Sequence, residues 1–156
     1  MIRILYLHGL ESEQGGATVG YLSANHYVYA PAIKYSEPNL LEQIISSIEV
    51  FKPDVIIGSS MGGYLANELS IKFGIPAILL NPALLSPPVR VNINDKKIRL
   101  SDKLIVAVLG KFDTVVPYRD TLDLLEESCH CRVDIREYGH RTPFEEFIDI
   151  CEKYLN

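Results

Sequence analysis

The stretch VIIGSSMGGYLANEL, residues 55–69, joins a short apolar run to an amphipathic run through six small or flexible residues. Val55 and the two isoleucines that follow it are β-branched, which predicts a buried strand. The residues from Tyr64 onwards carry apolar side chains at helical spacing, which predicts a helix. The small residues between them therefore form a turn. Three kinds of site use a glycine-rich turn from strand to helix: a phosphate-binding loop, a dinucleotide fingerprint and a nucleophile elbow.

Runs that predict strands alternate with runs that predict helices along the rest of the chain. The predicted strands are residues 2–7, 27–30, 55–57, 77–80, 104–109 and 133–138, and the predicted helices are residues 40–51, 64–73, 118–127 and 144–155. This alternation is typical of a parallel sheet that is covered on both faces. We therefore predict an α/β fold with a doubly wound, mainly parallel sheet of about six strands flanked by helices, in a single domain over residues 1–156.

The composition argues against two classes of partner. The 156-residue chain has a net charge of −5, and its lysines and arginines are scattered, so we expect neither nucleic acid nor an anionic membrane as a partner. Its first apolar run, residues 2–7, lacks the basic start and longer apolar core of a signal peptide. No apolar run is long enough to span a bilayer, so a cytoplasmic location is expected. The sequence does not indicate the oligomeric state.

The three cysteines, Cys129, Cys131 and Cys151, predict free thiols, since their number is odd and the chain looks intracellular. The run Cys129-His130-Cys131 raises a metal site as an alternative. In a strand, however, the two cysteines would point to opposite faces, and no second ligand pair stands at zinc spacing. No metal site is therefore predicted.

The residues of the turn itself distinguish between its three interpretations. Gly58 and Gly63 have the spacing of a phosphate-binding loop, but Tyr64 and Leu65 stand where that loop needs a lysine and a hydroxyl. In the dinucleotide pattern, Ser60 occupies the position of the second glycine. The segment GSSMG, residues 58–62, matches the nucleophile elbow GxSxG in full.

A nucleophile elbow needs glycine on both sides of its serine. The turn is so sharp that side chains at positions 58 and 62 would collide with neighbouring backbone, which Gly58 and Gly62 avoid. The hydroxyl of Ser60 would then stand exposed above the carboxyl end of the sheet. It would also lie beside a helix N-terminus, whose free N–H groups favour negative charge.

A serine hydroxyl needs a base, and the base needs an acid that orients it. In this architecture the order along the chain is serine, acid, histidine. Asp113 follows the buried strand at residues 104–109, and His140 follows the last predicted strand, so both lie at carboxyl ends of strands. We therefore predict Ser60, Asp113 and His140 as a catalytic triad. Two other acids are less suitable, because Asp102 precedes its strand and Asp134 lies inside one.

Acyl transfer also needs N–H donors that face the oxyanion. The residue after the nucleophile, Met61, offers one backbone N–H. The second is expected in the loop after the first strand, where Gly9 lets the backbone approach closely and Leu10 provides the N–H. His8 is interpreted as a residue that fixes this loop by hydrogen bonds to backbone, and with Tyr64 it is a candidate pocket residue.

The motifs HG at residues 8–9, GSSMGG at residues 58–63, GKFDTVVP at residues 110–117 and GH at residues 139–140 resemble those of the α/β-hydrolase superfamily. The resemblance spans nearly the whole chain. Within the superfamily, the short length and the opening LYLHGLESE, residues 5–13, are similar to the small bacterial YqiA-like esterases, which lack a cap domain.

The resemblance implies serine esterase or thioesterase chemistry on acyl esters, with no cofactor. It assigns Ser60 as nucleophile, His140 as base, Asp113 as the residue that orients the base, and Leu10 with Met61 as oxyanion donors.

The predicted function is therefore a serine hydrolase whose partner is a small-molecule acyl ester or thioester. Short loops frame the site, which favours small to medium acyl groups, with Tyr64 and residues 83–91 as candidate pocket walls. Two alternatives stay open: a non-hydrolytic ligand-binding or receptor protein on the same fold, and an acyltransferase that passes the acyl group to an acceptor other than water.

Overall fold

The computed structural model describes residues 1–10, 12, 14–91, 103–127 and 130–156. Its elements in chain order are β1 (Arg3–Leu7), α1 (Gly16–Ser23), β2 (Tyr27–Tyr29), α2 (Leu40–Phe51), β3 (Val55–Ser59), α3 (Met61–Phe73), β4 (Ala77–Leu80), β5 (Ile105–Gly110), α4 (Tyr118–Glu126), β6 (Cys131–Arg136) and α5 (Phe144–Tyr154). The strands of these described ranges form one six-stranded sheet in the order β2-β1-β3-β4-β5-β6. Every neighbouring pair is parallel. The predicted fold is confirmed.

Helices cover both faces of the sheet. Each strand contacts both helical layers, because successive strand residues point to opposite sides. In β3, Ile56 belongs to a buried cluster with Ile44 of α2 and Leu65 of α3. Its neighbour Ile57 belongs to a second cluster with Leu22 of α1 and Phe147 of α5. Burial of these two apolar faces is the main favourable contribution to folding. The uninterrupted apolar run of each central strand thus follows from its position between two helical layers.

The order of the strands creates a crevice between β1 and β3. From β1 the chain winds towards β2 on one side, and from β3 it winds towards β4 on the other. Ligands of open α/β sheets bind at such a switch point, outside the carboxyl ends of the strands. The loop that begins at His8 and the turn at Ser60 both leave the sheet there. Since the sheet is parallel, the segments after β5 and β6 leave from the same edge.

Some element boundaries differ from the prediction. Helix α1 was not predicted, because GATVGYLS contains two glycines and only Leu22 of the helix is buried. Strand β6 lies two residues earlier than the predicted segment 133–138, and α3 begins at Met61 rather than at Tyr64. The longest described helix, α3, has 13 residues, and none of the described helices is long and apolar enough to cross a membrane.

The thiols that the structure describes are free and shielded. Cys131 is half-buried and Cys151 is buried. Burial raises the pKa of the Cys131 thiol to about 11 and that of the Cys151 thiol to about 12. Both therefore stay protonated near neutral pH. Cys129, which was weighed as a metal ligand, lies outside the described residues, as does the alternative acid Asp102.

Candidate active site

Ser60 stands alone between β3 and α3 in a backbone conformation that few non-glycine residues adopt. Its φ is 54° and its ψ is −114°. Its N–H donates to the Leu80 carbonyl at 2.9 Å, while its own carbonyl accepts N–H bonds from Gly63, Tyr64 and Ala83 at 3.0 to 3.1 Å. These bonds hold the strained turn in place. Although serine often caps a helix through its side chain, Ser60 makes no such bond to α3, so its hydroxyl is available.

The glycines of the turn allow backbone segments to touch. A methyl group at Gly62 would overlap the Leu7 carbonyl oxygen and lie 2.7 Å from that of His8, so Gly62 lets α3 pack against the end of β1. A methyl group at Gly58 would overlap the Gly62 carbonyl oxygen and lie 2.8 Å from Ala66 Cβ. Both positions therefore need glycine, because neighbouring backbone atoms lie too close to leave room for a side chain.

The structure brings the three predicted triad residues within hydrogen-bond distance. His140 Nε2 lies 2.8 Å from Ser60 Oγ, and His140 Nδ1 lies 2.7 Å from Asp113 Oδ2. The other carboxylate oxygen, Asp113 Oδ1, accepts the N–H groups of Val115 and Val116 at 2.8 Å each. An ionised carboxylate is only an acceptor, so Nδ1 carries the imidazole proton and Nε2 is left to accept the Ser60 hydroxyl proton.

Burial differs along this chain of hydrogen bonds. The side chain of Asp113 is fully buried, whereas 22% of the His140 side chain is exposed. A buried carboxylate is tolerated when N–H donors satisfy it, as they do here. The alternative acid Asp134 is engaged elsewhere: its Oδ2 accepts bonds from Arg136, Lys153 and Tyr154.

One predicted oxyanion donor, Met61, adjoins Ser60 in the chain, and the other, Leu10, lies in the loop after β1. Met61 is the first residue of α3, so its N–H has no partner within the helix. The loop after β1 passes close by, since a methyl group at Gly9 would lie 3.5 Å from Ser60 Cβ. Leu10 follows in that loop and lines the same cavity as Ser60. Oxyanion binding by these N–H groups stays a prediction.

His8 is buried, and both of its ring nitrogens bond to backbone. Its Nε2 accepts the N–H of Ile33 at 2.9 Å, so its Nδ1 carries the proton and donates to the Gly9 carbonyl at 2.6 Å. The hydroxyl of Tyr35 donates to the His8 carbonyl at 2.5 Å. These bonds tie the loop after β1 to the segment that follows β2.

A cavity of about 600 Å³ opens over Ser60 and His140. Its described walls include Leu10, Pro88 and Val115, so residues 83–91 contribute to it. A groove of about 740 Å³ between β2 and α2 is larger but contains no triad residue. The cavity over Ser60 is the one that suits chemistry, because its serine is hydrogen-bonded to a histidine that in turn bonds to a buried acid.

Tyr64 does not line this cavity, in contrast to the prediction. It is only 7% exposed, and its hydroxyl lies 3.3 Å from the Val91 N–H and 3.4 Å from the Val91 carbonyl. Helix α3 turns the Tyr64 side chain into the cluster between the sheet and α2. Tyr64 thus holds one end of residues 83–91 and forms no wall.

Asn81 is the residue that sequence reasoning missed. It is 2% exposed and has a φ of 44°. Its Oδ1 accepts the Gly110 N–H at 2.6 Å, and its Nδ2 donates to the His140 carbonyl at 2.8 Å and to the Gly139 carbonyl at 3.3 Å. One side chain therefore ties β4, the end of β5 and the loop of His140 together. The available signal was a turn residue before Pro82, at the same sheet edge as Ser60.

Asn81→Ala is expected to lower the free energy of unfolding by about 3 kcal/mol. It leaves the buried Gly110 N–H without its acceptor and places an alanine in the left-handed region. Asn81→Gly removes the same hydrogen bonds without that strain, so it should cost about 1 kcal/mol less. Urea denaturation measures both changes, with the exposed Asn25→Ala as control. Equal stability of Asn81→Gly and the native protein would show that these hydrogen bonds contribute nothing.

Comparison with known proteins agrees with this architecture. The model of one family, described as an uncharacterised protein family, UPF0227, matches residues 3–96, which is more than half of the chain. The chain belongs to UPF0227. This YqiA-like assignment confirms the resemblance that the motifs indicated. The matched residues include Ser60 and its turn, whereas Asp113 and His140 lie beyond them.

Solved structures with the α/β-hydrolase fold are similar to this UPF0227 chain over nearly its whole length. A Xanthomonas campestris pv. campestris protein assigned to the alpha/beta superfamily of hydrolases is 17% identical, with 98% of this chain and 99% of that chain covered and a TM-score of 0.75. Est1E from Butyrivibrio proteoclasticus is 13% identical, with 99% of this chain and 86% of that chain covered and a TM-score of 0.72. Mouse alpha/beta hydrolase domain-containing protein 10 is 14% identical, with 99% of this chain and 90% of that chain covered and a TM-score of 0.71. At these identities the likeness shows the fold.

Proposed function

We propose that this protein is a serine hydrolase, an esterase or thioesterase, that cleaves small to medium acyl esters through an acyl-enzyme. The observation that carries the proposal is the hydrogen-bonded set Ser60–His140–Asp113, with contacts of 2.8 and 2.7 Å at the switch point of the sheet. A buried acid, a histidine in the required tautomer and an uncapped serine are the parts that acyl transfer needs. The α/β-hydrolase neighbours support a hydrolase in general terms.

In the first half of the reaction, Ser60 Oγ attacks the carbonyl carbon of the substrate while His140 Nε2 takes the hydroxyl proton. The negative charge then lies on the former carbonyl oxygen, where the N–H groups of Leu10 and Met61 stabilise it. Collapse of this intermediate breaks the bond to the leaving group, which takes the proton from His140. The acyl group remains on Ser60 as an ester.

In the second half, His140 takes a proton from water, and the resulting nucleophile attacks the acyl-enzyme. The acid product leaves, and Ser60 regains its proton from His140. Asp113 holds the ring in place and stabilises the imidazolium in both halves. Side chains and water carry every proton, so these steps need no cofactor.

The size and lining of the cavity support the proposed substrate class. A volume of about 600 Å³ lies within the range of sites for small molecules. Apolar residues such as Pro88, Val115 and Val116 stand beside hydroxyl groups in its wall. Such a wall suits an acyl chain of short to medium length next to a polar carbonyl group.

The proposal is tested by trapping the acyl-enzyme. The protein is mixed with p-nitrophenyl butyrate, quenched with acid within the first turnover and analysed by peptide mass spectrometry. We expect one butyryl group on Ser60 and none in Ser60→Ala. Ser59→Ala is the matched control, because Ser59 lines the same cavity but makes no hydrogen bond to His140, and it should still be acylated at Ser60.

Two results would contradict the proposal. Acylation of another residue would overturn the role of Ser60. Tight binding of acyl esters without release of p-nitrophenol or a covalent adduct would favour the receptor alternative instead.

A further inference from the structure

The cavity over Ser60 carries one permanent charge among its described residues. Arg141 lines it, and none of its described lining residues is aspartate or glutamate. The protein as a whole has a net charge of −5, so a positive charge among the described lining residues is not a consequence of composition. Arg141 therefore brings a positively charged residue to the wall of the cavity that contains Ser60.

Arg141 has no ion-pair or hydrogen-bond partner within the part of the chain that the structure describes. Arg136, on the strand before it, lies 2.7 to 3.0 Å from the carboxylates of Asp134, Glu146 and Asp149. The guanidinium of Arg136 is therefore paired with carboxylates of the protein, whereas that of Arg141 is available to solvent and to a ligand in the cavity. The five N–H donors of a guanidinium form a planar fork that matches carboxylate or phosphate oxygens.

The position of Arg141 relates it to the reacting atoms. His140 Nε2, 2.8 Å from Ser60 Oγ, delivers its proton to the leaving group, so the leaving group must lie beside His140. Arg141 is the next residue in the chain and shares the wall with Thr142. A substrate whose ester bond lies at Ser60 can therefore bring a nearby anionic group to Arg141.

We infer that Arg141 is a specificity-determining residue that selects esters or thioesters bearing an anionic group, a carboxylate or a phosphate, close to the scissile bond. The inference rests on the proposed hydrolase function and names its substrate class. The proximity of His140 favours the leaving group as the part that carries the charge.

Two matched pairs of esters test the inference. The first pair, 4-carboxyphenyl butyrate and phenyl butyrate, differs by a carboxylate on the leaving group. The second pair, monophenyl glutarate and phenyl pentanoate, differs by a carboxylate on the acyl chain. For each pair the measured quantity is the ratio of kcat/KM for the anionic ester to kcat/KM for the neutral ester. Intrinsic reactivity cancels when this ratio is compared between variants.

Arg141→Gln is expected to lower the ratio about fivefold in at least one pair, because an ion pair between an exposed guanidinium and a carboxylate contributes modestly. Arg141→Lys keeps the positive charge but lacks the planar guanidinium, so its ratio should lie between those of the native protein and Arg141→Gln. Arg132→Gln removes the same charge from an exposed position outside the cavity and should leave the ratio unchanged. Added NaCl should lower the ratio of the native protein, since salt screens exposed charges.

The outcomes separate the two proposals. A ratio that falls in the first pair locates the anion on the leaving group, and one that falls in the second locates it on the acyl chain. If the neutral esters are hydrolysed but Arg141→Gln leaves both ratios unchanged, the inference about Arg141 is wrong and the hydrolase proposal stands. If the native protein hydrolyses none of the four esters, the proposed function fails and the inference falls with it.

Discussion

Ser60→Ala is expected to lower kcat/KM for p-nitrophenyl butyrate by roughly 10⁴-fold or more, while the melting temperature changes by no more than a few degrees. The loss is large because the variant has no oxygen to attack the carbonyl carbon. The structural cost is small, since the Ser60 hydroxyl makes no helix cap and the backbone bonds that hold the turn remain. Initial rates and thermal unfolding, measured on the same preparation, check both parts.

Asp113→Asn provides a second variant of the same hydrogen-bonded set. An amide oxygen can still accept the N–H groups of Val115 and Val116, so the loop should keep its conformation. The amide cannot stabilise the imidazolium, and it favours the wrong tautomer of His140. We therefore expect a loss of roughly 10³- to 10⁴-fold, mainly in kcat.

Combining the two changes distinguishes a triad from two independent residues. Groups that act as a unit are not additive, so the double variant should be about as inactive as Ser60→Ala alone. A residual activity in Ser60→Ala that still depends on Asp113 would show that another nucleophile uses the same histidine.

Gly62→Ala has the largest expected effect on stability, a loss of more than about 3 kcal/mol in the free energy of unfolding. A methyl group there would overlap the Leu7 carbonyl oxygen and lie 2.7 Å from the His8 carbonyl oxygen. These atoms belong to the backbone at the end of a central strand, so they cannot move aside as a flexible side chain could. Helix α3 would have to shift away from the sheet and take Ser60 with it.

Gly20→Ala is the matched control for Gly62→Ala. Gly20 is exposed in helix α1, and a methyl group there would meet no atom within 4 Å. Alanine is the better helix former, so this variant should be more stable by about 0.5 to 1 kcal/mol. Urea denaturation of both variants measures the contrast. A Gly62→Ala protein as stable as the native one would show that the close contact between α3 and β1 is not required.

Much of the fold could be predicted because the patterns that specify it are local. The runs at residues 77–80 and 40–51 have the bounds of β4 and α2, since a continuous apolar run and an amphipathic pattern depend on neighbouring residues alone. Helix α1 could not be predicted in this way. It carries two glycines and has a single buried residue, Leu22, so contacts with the sheet and not its own pattern stabilise it.

The candidate site likewise has features that local sequence patterns predict and features that depend on packing. The GxSxG turn and the order serine, acid, histidine are properties of the sequence. They predicted three residues that the structure links by contacts of 2.8 Å from Ser60 to His140 and 2.7 Å from His140 to Asp113. The direction of the Tyr64 side chain could not be predicted from sequence spacing. The way in which α3 packs against the sheet determines whether this position faces the cavity or the core.

The fold class, the strand-turn-helix at Ser60 and the triad candidates thus follow from the amino-acid sequence, because strand and helix patterns and steric demands for glycine act over a few residues. The contact of Asn81 with the loop of His140, and the place of Arg141 in the cavity wall, depend on the packing of distant segments. Asn81 and His140 are 59 positions apart, and their contact exists only when β4, β5 and β6 lie side by side. Contacts between distant segments depend on the packing of the whole sheet, which no local pattern encodes.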